Sequence, residues 1–361
     1  MTHGPFRDAP IDAERARSSI PSMGPTARTA RHAARTDPAP RVRVGIDENG
    51  LGPRLGPLIV TAVYARTEAG GHRLAESGPR GPLAKRLGDS KALVSFGDTA
   101  LGEAWARAVA RQTGRESTET PDGLVHDMSV DSRATLQAPC PDHHRGQCWA
   151  TDAERFTADE KLVSRVTRDL ASLAGKGVRV LGAHVAIVCT ERLNEAVSRG
   201  LSRFATDLHA MERLALFVRE RTRCELDITC GKVGGYDRYP GVFGPLAGRL
   251  YTTLSEGRAR SEYKIAGLGR LAFVRDADAG HLLVCMASLI GKWVRDLLMA
   301  RVTRYHRSHD PSLPEVSGYH DPITTHFIRA SELARRARNI SDECFQRRAL
   351  PTAAIDEPSS A

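Results

Sequence analysis

Four acids in this chain fall where a carboxylate could reach a bound cation. Asp47 and Glu48 are adjacent at the end of the alternating run Val42 to Ile46 and are followed by Gly50 and Gly52. Asp227 ends the stretch Cys224–Asp227 ahead of Gly231, Gly234 and Gly235, and Asp278 precedes an apolar run that begins near Gly280. Neighbouring carboxylates at a strand end repel each other and resist burial, so a place near a core calls for a neutralising cation. Hard divalent ions with oxygen ligands, Mg²⁺ or Mn²⁺, suit such a set. A pair of them activates water and stabilises the leaving oxygen when a phosphodiester is cut. A single acid at an element end is more often a cap or a turn residue, and spacing alone does not assemble the four in space.

The elements that would carry these acids are readable from periodicity. Val42–Ile46 alternates as a strand, and Leu58–Tyr64, rich in β-branched residues, reads as a second strand joined to it by a hairpin-like Gly50–Gly56 link. Residues 99–111 form an amphipathic helix, 158–174 another, and 178–189 a strand. A helix fits 192–219, short strands fit 224–229 and 271–275, and a long apolar helix fits 280–302. Strands first with helices interleaved later predict an α/β or α+β layered domain. Lys91 follows Ser90 in a turn before a helix, a place from which an ammonium reaches a phosphate. Lys292 interrupts the long apolar helix one turn after Ser288; an unpaired charge there is expensive, so it should meet an acid or a phosphate.

The 361 residues, 41% hydrophobic and 26% charged, have the balance of a globular protein, and the formal net charge of +9 would suit a polyanionic partner or simply solvate the tails. Residues 1–40 are rich in Ala, Arg, Pro and Ser and predict a disordered basic arm without a secretory signal. Seven cysteines, odd in number and irregular in spacing, give no disulfide framework and place the chain in a reducing cytoplasm. The longest apolar stretch, Leu282 to Ile290, is too short to span a bilayer, so no membrane partner is expected.

The run Gly45-Ile-Asp47-Glu48-Asn-Gly50-Leu51-Gly52-Pro53-Arg-Leu-Gly56-Pro57 resembles the opening signature of type 2 ribonucleases H. Further resemblances follow in family order: Asp89-Ser90-Lys91, Leu193-Asn194, Leu226-Asp227, Asp278, Ala287-Ser288 to Lys292 and Arg295-Asp296, then Gly318-Tyr319 with His326. They cover about 42–330. The resemblance implies a ribonuclease H-like mixed β-sheet flanked by helices, with a C-terminal helical segment. It implies a catalytic domain over 41–330, interrupted by an insertion at about 113–176 and followed by a tail at 331–361. It assigns the catalytic metals to Asp47, Glu48, Asp227 and Asp278. Substrate contacts fall to Gly50, Leu51, Gly52, Ser90, Lys91, Ser288, Lys292 and Tyr319, the last stacking on a sugar. The implied substrates are RNA–DNA hybrids and duplex DNA with embedded ribonucleotides, read by shape and 2′-hydroxyl and cut by a monomer.

The chain departs from the family where Gly-Arg-Gly becomes Gly50-Leu51-Gly52, which removes a cation; Arg54 is a candidate to replace it. Asp276, two residues before Asp278, competes for the same role. The polar insertion holds Cys140, His143, His144 and Cys148, crowded beside the paired spacing of structural zinc sites; a polar surface loop is expected for that stretch, with zinc as the alternative. Two other readings are a hybrid-binding module that has lost efficient catalysis, and a related metal-dependent nuclease with a different nucleic-acid substrate.

Overall fold

The structure, a computed structural model, describes residues 41–114, 119–152, 154–234 and 236–348. The expected basic arm at 1–40 and the last thirteen positions of the expected tail lie outside the described residues.

Among the described residues, seven strands form one mixed sheet: β1 Arg41–Asn49, β2 Leu58–Thr67, β3 Val178–Val188, β4 Leu226–Gly231, β5 Tyr251–Ser255, β6 Arg260–Ile265 and β7 Gly269–Val274. Their order is β3-β2-β1-β4-β7-β6-β5. β1 pairs antiparallel with β2 and parallel with β4; β4 pairs parallel with β7, and β7–β6–β5 run antiparallel. The helices are α1 Ala69–Ala75, α2 Ser90–Leu93, α3 Ala100–Gln112, α4 Pro121–Met128, α5 Arg133–Gln137, α6 Arg145–Trp149 and α7 Glu160–Gly175. They continue as α8 Thr190–Ser198, α9 Arg203–Thr222, α10 Ala277–Gly280, α11 Leu282–His309, α12 Pro322–Ala330, α13 Glu332–Ala337 and α14 Asp342–Phe345. The result is a mixed sheet flanked by helices, with a C-terminal helical region.

Strand periodicity sorts β1 between two layers. Val42, Val44 and Ile46 enter one core with Leu208, Met211 and Leu214 of α9. The alternate residues turn to the other face, where α11 crosses. That face packs Ile59 and Val63 of β2 against Trp105 of α3, Val166 of α7 and Leu283, Leu289 and Ile290 of α11. At Gly45 the helix lies backbone to backbone against the strand. A Cβ there would come within 2.3 Å of the Leu283 carbonyl carbon and 2.4 Å of the Val284 nitrogen.

The structure differs from the sequence expectations in four places. The helix expected over 192–219 is two, α8 and α9, because Gly200 takes φ +85° and Ser202 caps the second through the Ala205 amide at 3.0 Å. β5 and β6 were not anticipated: β5 is exposed throughout and lacks apolar alternation. The insertion, expected to be polar, is not polar throughout. Leu124, Val125, Met128 and Leu136 are buried in the core, and its polar residues turn inward. Arg301 of α11, itself 1% exposed, is held by Glu154 at 2.6 Å and Asp122 at 3.0 Å, while His306 meets Gln147 at 2.8 Å. Composition alone cannot tell such mutually satisfied buried groups from solvated ones. Nor is 331–348 the start of a tail, for Phe345 packs with Leu55, Met299 and Phe327, and Arg335 stacks on its ring at 3.8 Å.

The close approach at Gly45 is testable. Gly45→Ala should push α11 off β1 and cost about 1–3 kcal/mol, the range for overpacking, read as a lowered urea midpoint with unchanged slope. A cost near zero would contradict the backbone contact.

Candidate active site

A cavity of about 510 Å³ opens where β1 ends, lined by Asp47, Glu48, Asn49, Gly50, Leu51, Gly52, Ser90, Lys91, Val94, Asp278, Ser288, Lys292, Arg295, Asp296 and Tyr319. Every expected site residue except Asp227 lies on it. β1 delivers the adjacent acids, α10 presents Asp278, and α11 brings Ser288 and Lys292. Asp89 caps α2 by accepting from the Lys91 amide at 2.9 Å, and the Ser288 hydroxyl donates to Ser90 Oγ at 2.9 Å, tying α2 to α11. Lys91 Nζ stands 3.7 Å from Asp278 Oδ2. Asp276 is not the fourth acid: it lies 84% exposed, faces Arg275 and does not line the cavity.

Asp227 is a correction to the sequence expectation. The parallel β1–β4 register sets it opposite Arg43, four residues before Asp47 and so about 13 Å along the sheet. Its carboxylate faces Arg43 at 3.3 Å and Arg41 at 3.9 Å. Extending that register, the β4 residue beside the acids is Gly231, where a Cβ would lie 3.0 Å from Asp47 Oδ1 and 3.5 Å from Glu48 Oε2. The sequence offered only one acid on this strand, and the register places it at the wrong end.

Three further residues had no role in the sequence reading: Arg295 and Asp296, named there only within a motif, and Asp207, not named at all. Asp296 takes the charge of Lys292 at 3.1 Å and of Arg295 at 3.1 Å, so the lysine inside the apolar helix meets an acid. Arg295 also donates to the Ser317 carbonyl at 2.8 Å and lies 4.7 Å over the Tyr319 ring. Asp207 of α9 is fully buried, and neither of its oxygens has a hydrogen-bond partner. Burial, then Glu48 and Asp47, hold its carboxyl well above the usual range. One acid inside the apolar face of α9, between Phe204, Leu208 and Met211, was the signal that could have found it.

The electrostatics of the cavity are those of crowded acids. Burial, then the neighbouring Glu48, raise the Asp47 carboxyl well above its usual range, against the Ser288 hydroxyl and Lys91. Burial chiefly, with Asp278 adding, raises Glu48 from 4.5 to about 7. Burial opposes the charge of Lys91, but Asp278, then Asp89, Asp47 and Glu48, keep its ammonium above the ordinary lysine value. Asp47, Glu48 and Asp278 form an all-oxygen donor set whose ionisation a divalent cation would favour, and in donor chemistry they fit Mg²⁺ or Mn²⁺. Among the described residues no three His, Cys, Asp or Glu side chains stand in ion-holding geometry. In the insertion, His144 turns its ring to the Asn339 carbonyl at 2.7 Å and to Cys344 Sγ at 3.4 Å.

No family model and no curated protein matches the chain. Solved structures do. Ribonuclease HII from Archaeoglobus fulgidus, in its complex with PCNA, is 16% identical with a TM-score of 0.36, over 87% of this chain and 98% of that one. Bst ribonuclease HIII in complex with Mn²⁺ is 13% identical with a TM-score of 0.39, over 85% of this chain and 66% of that one. Ribonuclease H2 from Pyrococcus horikoshii OT3 is 14% identical with a TM-score of 0.37, over 84% and 92%. These structures to which the chain is similar are type 2 ribonucleases H. No helix among the described residues is long and apolar enough to cross a membrane.

The raised Glu48 carboxyl makes stability depend on pH. The folded state holds a proton that the unfolded chain releases near 4.5, so metal-free stability should be highest below that value and fall as pH rises through about 7. Glu48→Gln should flatten this fall, and saturating Mg²⁺ should oppose it in the wild type only. Thermal melts from pH 4.5 to 8 read the difference; identical profiles for both proteins would contradict the electrostatics described.

Proposed function

We propose that this chain is a Mg²⁺- or Mn²⁺-dependent endoribonuclease that cuts the RNA strand of RNA–DNA hybrids and ribonucleotides embedded in duplex DNA. The observation that carries the reading is the convergence, on one cavity, of acids, lysines and a Gly-rich loop from segments far apart in sequence. The order of the motifs along the chain, in the pattern of type 2 ribonucleases H, supports it further.

Bound at Asp47, Glu48 and Asp278, divalent cations would supply Lewis acidity at the scissile phosphate and lower the pKa of an attacking water. The chain's own residues do the rest. Lys91, 84% exposed beside Asp278, is free to swing to a phosphate oxygen. Lys292 stays on the wall, fixed by Asp296. Ser90 and Ser288 hold α2 against α11 so that Lys91 faces the acids. Tyr319, 45% exposed and backed by Arg295, offers a ring face to a sugar. Water adds to phosphorus in line as the bond to the 3′-oxygen breaks. The products are a 3′-hydroxyl and a 5′-phosphate, with the water's protons shared between the leaving oxygen and solvent.

One observation favours the second reading, a hybrid-binding module with weak catalysis: Gly231 leaves β4 without an acid beside Asp47. A DNA duplex with one ribonucleotide, an RNA–DNA hybrid and an all-DNA duplex separate the readings. The wild type should cut the first two with Mg²⁺ or Mn²⁺ and spare the third. Asp47→Asn and Asp278→Asn should lose more than the roughly 10–100-fold typical of disturbing an outer-shell partner. Asp227→Asn should stay within about threefold in kcat, since its carboxylate faces Arg43 at 3.3 Å and does not line the cavity. Salt-sensitive binding of the hybrid without cutting would favour the binding module, and an Asp227→Asn variant as inactive as Asp47→Asn would overturn the site.

A further inference from the structure

The Gly50–Gly56 loop lacks the cation that its motif leads one to expect at position 51, and Arg54 does not replace it: its guanidinium turns away to Thr325 Oγ1 at 2.9 Å. A different arginine lies beneath the loop. Arg347 is 2% exposed and donates to the carbonyls of Gly50 at 2.5 Å, Leu51 at 3.3 Å and Gly56 at 2.9 and 2.7 Å. No carboxylate pairs with it among the described residues. A buried guanidinium with only carbonyls for partners is costly to arrange unless it organises what it binds. It sits in a segment that is itself fixed. Asn194 of α8 donates to the carbonyls of Glu343 and Gln346 and accepts from the Arg348 amide, all within 3.0 Å. The Arg347 amide donates to the Arg54 carbonyl at 2.9 Å, which joins the same segment to the loop.

The consequence for the loop follows from peptide planarity. In a trans peptide the carbonyl and the next amide point in opposite directions. With the Gly50 and Leu51 carbonyls drawn down to Arg347, the amides of Leu51 and Gly52 point away from it, toward the cavity that these residues line. Neither amide has a backbone partner among the described residues. Gly50, at φ +90°, permits this turn of the chain.

We infer that Arg347 is a positioning residue that fixes the Gly50–Gly52 backbone from behind, so that two amide donors face the 2′-hydroxyl of the ribonucleotide at the cut. The charge missing at Leu51 is thereby supplied from the C-terminal segment and spent on the backbone, not on the substrate. The inference rests on the nuclease reading above.

The test is Arg347→Lys, whose single ammonium cannot bridge Gly50 and Gly56 together, with Arg347→Met beside it. Three readouts are needed: amide exchange at 50–56, KM and kcat on the one-ribonucleotide duplex, and Kd for an all-DNA duplex of the same sequence. The lysine variant should exchange faster in the loop and raise KM about tenfold. Its kcat should stay within about threefold and its affinity for all-DNA should not change, so that preference for the ribonucleotide is lost. Faster exchange with an unchanged KM would make the clamp merely structural and overturn the inference, as would unchanged exchange. Equal weakening toward both duplexes would also overturn it. If the wild type cuts neither ribonucleotide substrate, the nuclease reading falls and takes this role with it, an outcome distinct from a wild type that cuts and a variant that keeps its preference.

Discussion

The backbone-to-backbone approach of α11 to β1 at Gly45 sets the geometry of everything around the cavity. A helix normally stands off a sheet by the thickness of its side chains. Here one missing Cβ lets Leu283 and Val284 settle against the strand, and the helix runs on past the end of β1. Ser288, Lys292 and Arg295, at successive turns, then arrive beside Asp47, Glu48 and Gly50. A second missing Cβ, at Gly291, where one would come within 2.6 Å of Thr61 Oγ1 and 2.8 Å of Asn49 Nδ2, keeps the approach close along the next two turns. The position of the site is thus a packing result before it is an electrostatic one.

That packing forces like charges together. Asp47 is buried and Glu48 half-buried, with Asp207 behind them and Asp278 across from them, and burial is the chief cause that raises the carboxyls of Asp47, Glu48 and Asp207. The lysines only partly compensate. Lys91 is exposed, and Lys292 is already neutralised by Asp296. The protein therefore spends stability to keep uncompensated carboxylates in a cleft, an arrangement with a use if a cation completes it. The core beneath bears that cost, with large side chains such as Trp105, Trp293 and Phe273 almost wholly buried.

Much of this was legible in the sequence wherever a local rule decided the outcome. The alternation at Val42–Ile46, the β-branched run at 58–64 and the apolar 280–302 stretch became β1, β2 and α11, and the residues flanking them form the cavity. What escaped was what depends on pairing. Nothing in Leu226-Asp227 shows that β4 meets β1 with Asp227 opposite Arg43, and one register choice moved the expected acid to the other end of the strand. The insertion reads as polar because Asp122, Glu154, His144 and Gln147 are polar, yet their partners Arg301, His306 and Asn339 lie some 150 to 200 residues away. Arg347 in the same way is an ordinary basic residue near a C-terminus until Gly50 and Gly56 are seen against it.

The central claim is that Asp47, Glu48 and Asp278 form the cation site and that Asp227 takes no part. The most direct measurement is anomalous diffraction from crystals equilibrated with Mn²⁺. The account predicts manganese between these three carboxylates and none beside Asp227. Manganese bound at Asp227, or an empty cleft at saturating Mn²⁺, would contradict it.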